Sequence, residues 1–589
     1  MNIFEANIPF QALTHFSNTL KNISMFDDAN NDIYIAFGIL NFFDNQIEFD
    51  KFKEVLSISN NTIGEPDRAE YGDFQTNSNL ANKTTLFLRN KGISPEIIIE
   101  PTCGKGNFII ASLQNFNKLK TIFGIEIYKP YVWECKFNIV DFFLTNPNSS
   151  KPDIYIYNFD VFDFDFSRIE NKYRDKNCLI IGNPPWITNS QLGCLKSNNL
   201  PKKTNFKKHS GIDAITGKSN FDIAEYITEM LIKIFQATTG HIALLVKNSV
   251  IKNILYEQKR NKHKIDNLEK YSIDSKQEFN VSVEASLLFL KLNSQSDFSC
   301  KEFNFYNNTN LIKTFGWIGD KFVSDIDKHL NTEIFDGESP FIWRQGIKHD
   351  CTKVMELDKH NGYFLNKLDE KLELEDDLIY GFLKSSDLKN TIARQTRKYI
   401  IVTQTKTGQE TNYIKRDYPK TYDYLLSHKS FFDARKSSIY NNKPLFSIFG
   451  VGDYSFMPYK IAISGLYKTF HFTLVLPQEN KPVMLDDTCY FIGFEKIEFA
   501  AYTLILLNSK ETIRLLESIT FPDAKRTFTK ETLMRMDLFE LSRKIDFEEI
   551  KKSISELNYG YNLNVSPDCW DNYLKIIKPE EQLQLQFFV

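Results

Sequence analysis

Two short runs hold the residues best suited to chemistry. The first, "EPTCGKGNF" (Glu100 to Phe108), sets Gly104 and Gly106 one residue apart between an apolar run and a helical one. Paired glycines let a backbone turn tightly and approach a ligand closely. Glu126 ends the next apolar run, 20 residues beyond Gly106, where a carboxylate suits paired ribose hydroxyls. The run lacks the third glycine of a dinucleotide loop and the Gly-Lys-Ser/Thr of a nucleoside triphosphate loop. A nucleoside-bearing cofactor without phosphates remains, with S-adenosylmethionine the obvious candidate. Asp160, after a third apolar run, could accept a hydrogen bond from an adenine amine; the alternative is a solvated acidic loop with Asp163 and Asp165.

The second run is "IIGNPPWI" (Ile180 to Ile187), a strand-like segment halted by Asn183, Pro184, Pro185 and Trp186. An exocyclic aromatic amine is a poor nucleophile because its lone pair is delocalised into the ring. The Asn183 side-chain carbonyl and the Pro184 main-chain carbonyl could each accept one of its N–H bonds. That would aim the lone pair at a methyl sulfonium by orientation and electrostatics, without a covalent intermediate. Prolines stiffen the acceptors, and Trp186 offers a face for a base. The alternative is a Pro-Pro turn with a half-buried indole.

Such a pair of runs needs an alternating scaffold to hold it. From about residue 71 to 295, "EIIIE", "TIFGIEI", "IYIYNFDVF", "CLIIGN", "HIALLV" and "ASLLFLKL" read as strands. Helical stretches such as "NFIIASLQNF", "YVWECKFNIVDFF" and "FDIAEYITEMLIKIFQ" separate several of them. This alternation predicts right-handed βαβ units and a mostly parallel, Rossmann-like α/β sheet, with ligands beyond the carboxyl ends of its strands. "NPPW" then ends the fourth strand. Residues 1–70 read as a helical N-terminal segment, 71–295 as the cofactor-binding domain, and 296–589 as a C-terminal α+β region rich in turns.

The 589 residues are too many for one core. A net charge of −3 excludes a global basic field, so any nucleic-acid contact must come from local patches. Eight scattered cysteines form no Cys-x-x-Cys pair, and none follows a proline; zinc clusters, disulfide frameworks and a Pro-Cys nucleophile are not indicated. No metal site is expected. No run reaches membrane-spanning length and the start lacks a signal pattern, so a cytoplasmic protein with no membrane partner is expected.

Together, "EPTCGKGNF" and "GNPPW" resemble the motif pair of class I S-adenosylmethionine-dependent amino-methyltransferases. More closely, they are similar to the gamma-type N6-adenine DNA methyltransferases of bacterial restriction–modification systems, over about residues 70–295. The resemblance implies a cofactor set of Thr76, Glu100, Pro101, Cys103, Gly104, Gly106, Phe108, Glu126, Asp160, Asn183 and Phe221. It implies a catalytic loop of Asn183, Pro184, Pro185 and Trp186, and a flipped adenine stacked on Trp186 and Phe279. From its residues alone Phe279 reads equally as core. Two departures stand out: Thr76 is followed by Asn77 where the family has proline, and Trp186 replaces the usual Tyr or Phe.

Double-stranded DNA would be met by local basic residues: Lys202, Lys203, Lys207 and Lys208 after the catalytic loop, and Arg435 and Lys436 in a C-terminal target-recognition region. A second basic run, "EQKRNKHK", is left even between DNA contact and solvation. The first 70 residues are too short for a nuclease domain, which suggests a separate cognate endonuclease acting at the same site. Rival readings are N-methylation of RNA or of a protein glutamine, and a non-catalytic DNA-binding specificity protein. N4-cytosine methylation would normally put Ser where Asn183 stands.

Overall fold

A computed structural model of the chain describes residues 8–56, 75–187, 222–360, 362–522, 526–557, 559–560 and 563–578. The chain divides into two compact units, Met1–Phe322 and Val323–Val589.

The first unit is organised around one sheet. Its strands are β1 (Ile39–Leu40), β2 (Ile97–Glu100), β3 (Thr121–Glu126), β4 (Asp153–Asn158), β5 (Cys178–Gly182), β6 (Gly240–Lys247), β7 (Ile265–Ile273), β8 (Ala285–Leu292), β9 (Ser299–Asn304), β10 (Leu311–Ile318) and β11 (Lys321–Val323). They lie in the order β1-β4-β3-β2-β5-β6-β8-β7-β9-β10-β11. The pairs from β1 through β6 are parallel, and β8 runs antiparallel between β6 and β7. β2, β3 and β5 are buried along their whole length, as expected of continuous apolar runs covered on both faces. Helices Asn107–Asn115, Lys129–Thr145 and Ile223–Phe235 connect the central strands; Pro130 stands in the first turn of the second, where its missing N–H costs nothing.

Three features depart from the sequence pattern. The N-terminal segment is not wholly helical: β1 adds to the sheet edge beside β4, so "NPPW" follows the fifth strand rather than the fourth. Its helices Phe10–Thr19, Phe26–Phe37 and Gln46–Leu56 accompany an aromatic cluster of Phe16, Phe42, Phe43, Phe52, Trp133 and Phe137. Lys136 is buried there, its ammonium donating to the Phe42 carbonyl at 2.7 Å, and burial lowers its pKa to about 8. Next, "IDNLEKYSI" is a strand, although three charges hide its period. Lastly, the sheet runs past residue 295, since β9 pairs with β7 and β10 with β9, and the first unit continues to Phe322.

The second unit is α+β. A five-stranded sheet is centred on Cys489–Phe494 and Tyr459–Ser464, and a six-stranded sheet on Glu356–His360, Lys398–Ile401 and Ile379–Leu383. Helices from Ile497–Leu507 onward complete it.

Candidate active site at the sheet switch point

From β2 the chain winds outward through β3 and β4, then crosses back to lay β5 on the other side of β2. The loops after two neighbouring parallel strands therefore leave in opposite directions and open a crevice beyond their carboxyl ends. The glycine loop follows β2 and the Asn-Pro-Pro-Trp turn follows β5, so both motifs border that crevice. Thr102 Oγ1 donates to the Asn183 carbonyl at 3.4 Å and ties them together.

In the glycine loop Gly104 and Gly106 take φ of 48° and 83°, conformations disfavoured for side-chain-bearing residues. A Cβ on Gly104 would come 2.6 Å from Gln75 Oε1, and one on Gly106 would come 2.6 Å from Cys135 Sγ. The loop is closed by Cys103, whose N–H donates to the Ile125 carbonyl and whose carbonyl accepts from the Gly106 N–H, both at 2.8 Å. Gly106 then caps helix Asn107–Asn115. Glu126 accepts from Gly104 N–H at 2.9 Å and from Tyr128 N–H at 2.8 Å.

Two buried polar atoms lie on or beside this loop. Glu100 Oε2 and Thr76 Oγ1 are shielded from solvent and find no hydrogen-bond partner among the described residues. Burial, then the neighbouring Cys135 and Glu126, pushes the Glu100 carboxyl well above its usual range, opposed by the Ile109 N–H in the first helical turn. The Thr76 segment is held over the loop by Asn107, whose side-chain amide donates to the Thr76 carbonyl at 2.7 Å. Asn77 caps helix Ser78–Asn90 by accepting from the Leu80 N–H at 2.8 Å.

On the catalytic side Asn183 Oδ1 is shielded from solvent and Pro184 is buried. Trp186 is only 5% exposed; its indole N–H donates to the Leu245 carbonyl of β6 at 3.2 Å. Phe279, in the one-turn helix Ser275–Phe279, meets Trp186 edge to face with centroids 4.9 Å apart. The two stacking candidates, 93 residues apart in sequence, are thus in contact. Asp160 is half-buried beyond β4, its Oδ1 accepting from Phe162 N–H at 2.9 Å, and burial raises its pKa. Pro101 is buried, while Phe108 and Cys103 lie in the core beneath the loop, and the Cys103 thiol, hydrogen-bonded to Cys135 and buried, is held protonated.

Phe221, Lys202, Lys203, Lys207 and Lys208 lie outside the described residues. In the second unit, Arg435 and Lys436 border an open cavity of about 650 Å³ with Asp350, Lys353 and Ser437. Arg435 is turned inward: its guanidinium donates to the carbonyls of Ser447 (2.7 Å), Phe432 (3.1 Å) and His349 (3.3 Å) and lies 3.7 Å over Tyr440. Lys436 is exposed. The run "EQKRNKHK" is partly spent within the fold, with Lys259 on Asp320 at 2.6 Å and Arg260 on Glu257 at 2.5 Å.

The sequence reading missed one pair beside the catalytic loop. Lys247, ending β6, meets Asp222 at 2.6 Å, and Asp222 caps helix Ile223–Phe235 through the Ala224 N–H. Ile223 N–H in turn donates to the Ile187 carbonyl, fixing the end of the catalytic turn. The Asp preceding an apolar periodic run was the available signal.

A crevice of this kind, at a switch point of an open α/β sheet, is where such sheets bind ligands. No family model matches the chain. The type II methyltransferase M.NspV of Nostoc sp. (strain ATCC 29411 / PCC 7524) is 41% identical over 484 residues, covering 82% of this chain and 99% of that protein. The solved structure of the type IIL restriction-modification enzyme MmeI in complex with DNA aligns over 98% of this chain and 90% of its own. Its TM-score is 0.53 at 12% identity, a likeness of fold. The chain belongs to the type II restriction–modification methyltransferases.

Proposed function

We propose that the protein is a site-specific DNA adenine-N6 methyltransferase that uses S-adenosylmethionine and acts on a base flipped out of the duplex. The observation that carries this reading is the adjacency, at one switch point, of the Asn-Pro-Pro-Trp turn and a glycine loop flanked by buried polar atoms. The polar groups there and at the end of the next strands fit the cofactor: Glu100 Oε2 suits its ammonium, Thr76 Oγ1 its amino-acid end, Glu126 its ribose hydroxyls and Asp160 its adenine amine. When bound, S-adenosylmethionine supplies an electrophilic methyl group on a sulfonium.

The chain's own residues do the rest. Asn183 Oδ1 and the Pro184 carbonyl accept hydrogen bonds from the two N6 N–H groups and turn the nitrogen lone pair toward the methyl carbon. Asn183 is no base, so the extra proton leaves the methylated N6 for solvent after transfer. Trp186, anchored through its indole N–H, and Phe279 hold the base by stacking. Lys436 suits a backbone phosphate in the target-recognition region, while Arg435 braces that region from within. A separate endonuclease cutting the same unmethylated site completes the proposed system.

The test is methyl transfer from labelled S-adenosylmethionine to DNA, RNA and protein, with modified-base sequencing of DNA from an expressing host. N6-methyladenine at one sequence is expected. Label in RNA or protein alone, or cofactor binding without any transfer, would overturn the reading.

A further inference from the structure

The aromatic pair at the base site is shut. Carbon contacts need about 3.5–4 Å, so a ring between two others requires roughly 7 Å between their centroids. Trp186 and Phe279 stand at 4.9 Å. Trp186 is pinned to β6 by its indole N–H, so Phe279 and its one-turn helix must yield when a base inserts.

That helix is not free to move alone. Glu278, beside Phe279, accepts from the Asn77 side-chain amide at 3.1 Å through Oε2 and from the Tyr306 hydroxyl at 2.9 Å through Oε1. Tyr306 stays a donor, because burial and the Glu278 carboxylate push its pKa up to about 12. Asn77 follows Thr76 directly and caps helix Ser78–Asn90. The same helix meets the Tyr306 turn at Phe87–Phe305, with centroids 5.7 Å apart, and places Lys83 5.9 Å over Tyr306. One carboxylate therefore joins the segment over the glycine loop to the helix carrying the stacking ring.

We propose that Glu278 is a positioning residue that couples cofactor binding to capture of the target base, by linking Asn77 to the Phe279 helix. The proposal rests on the adenine-methyltransferase reading. A displacement of Phe279 carries Glu278 with it and loads the Thr76–Asn77 segment. The cofactor, by contacting that segment, in turn biases where Phe279 stands. Linkage makes the effect reciprocal.

The experiment uses the full chain and a duplex containing its methylation site with 2-aminopurine at the target adenine. The affinity of S-adenosylhomocysteine is measured with and without duplex, and the ratio is the coupling. Asn77→Asp keeps the helix cap, since Asp caps as well as Asn, but sets a carboxylate against Glu278. It is expected to reduce the ratio about five-fold, the low end of coupling between two sites. Adding Glu278→Gln restores it, because the amide and the carboxylate have exchanged places. 2-Aminopurine emission should follow the same order. A merely structural contact would change stability or affinity without moving the ratio.

An unchanged ratio in Asn77→Asp, or no recovery in the double variant, overturns the link while the function stands. A wild type that neither binds S-adenosylhomocysteine nor methylates adenine overturns the function and the link together.

Discussion

Two buried glutamates, one in each unit, show opposite uses of a hidden carboxylate. Glu356 is 2% exposed and surrounded by basic side chains: Lys384 at 2.6 Å, Lys367 at 3.2 Å and the His349 ring at 3.4 Å. Burial opposes its ionisation, yet hydrogen bonds from His349 and Lys384, with their charges, bring its pKa down to about 2. Glu100 is equally buried, forms no ion pair among the described residues, and is pushed the other way. A buried charge that is already matched is part of the architecture. A buried carboxyl left unmatched is instead held toward its neutral form, and beside the glycine loop it is the group we propose for a cationic ligand.

Several measurements would break or sharpen that contrast. The largest effect lies beside Glu100: Asn183→Ala should reduce methyl transfer by about 10³-fold, with S-adenosylmethionine affinity nearly intact by calorimetry. Retained turnover would sink the amine-acceptor role of the turn. Glu100→Gln should weaken cofactor binding about ten- to a hundred-fold, the scale of a hydrogen bond to a charged group. It should leave the cofactor-free protein no less stable.

The pH slopes of stability should also oppose one another. Glu100, raised above the ordinary value of 4.5, is protonated more readily folded than unfolded. Its contribution is therefore lost as pH rises above 4.5 through the raised value, and Glu100→Gln should flatten that slope without cofactor. Glu356 contributes above 4.5 and loses its contribution as pH falls from 4.5 to about 2. Glu356→Ala should cost about 2 kcal/mol in denaturant unfolding near neutral pH, less than for a fully buried pair because its lysines reach solvent. The smallest change is Lys436→Ala, expected to weaken DNA binding about three-fold and shallow its salt dependence. A stability loss with unchanged DNA affinity would instead make Lys436 another brace like Arg435.

Legibility in the sequence followed the type of signal. Continuous apolar runs announced β2, β3, β5 and β6 because both sheet faces are covered, whereas β7 was hidden by Asp266, Glu269 and Lys270. Lys270 is nonetheless buried, since Glu302 meets it at 2.9 Å across the sheet, a pairing that no local pattern contains. Arg435 and Lys436 look alike as neighbouring basic residues, yet one satisfies three carbonyls and the other faces water.

By itself the sequence determined the chemistry available: two glycines with a spaced carboxylate, and an amide set in prolines before an indole. Those are local matters of backbone freedom, stiffness and functional group, written within a few residues. Only the tertiary structure decided what stands together. The strand order put β5 beside β2, turning two separate motifs into one crevice. Side-chain packing brought Phe279 onto Trp186 and Glu278 onto Asn77, contacts set by sheet topology and therefore invisible to any window of sequence.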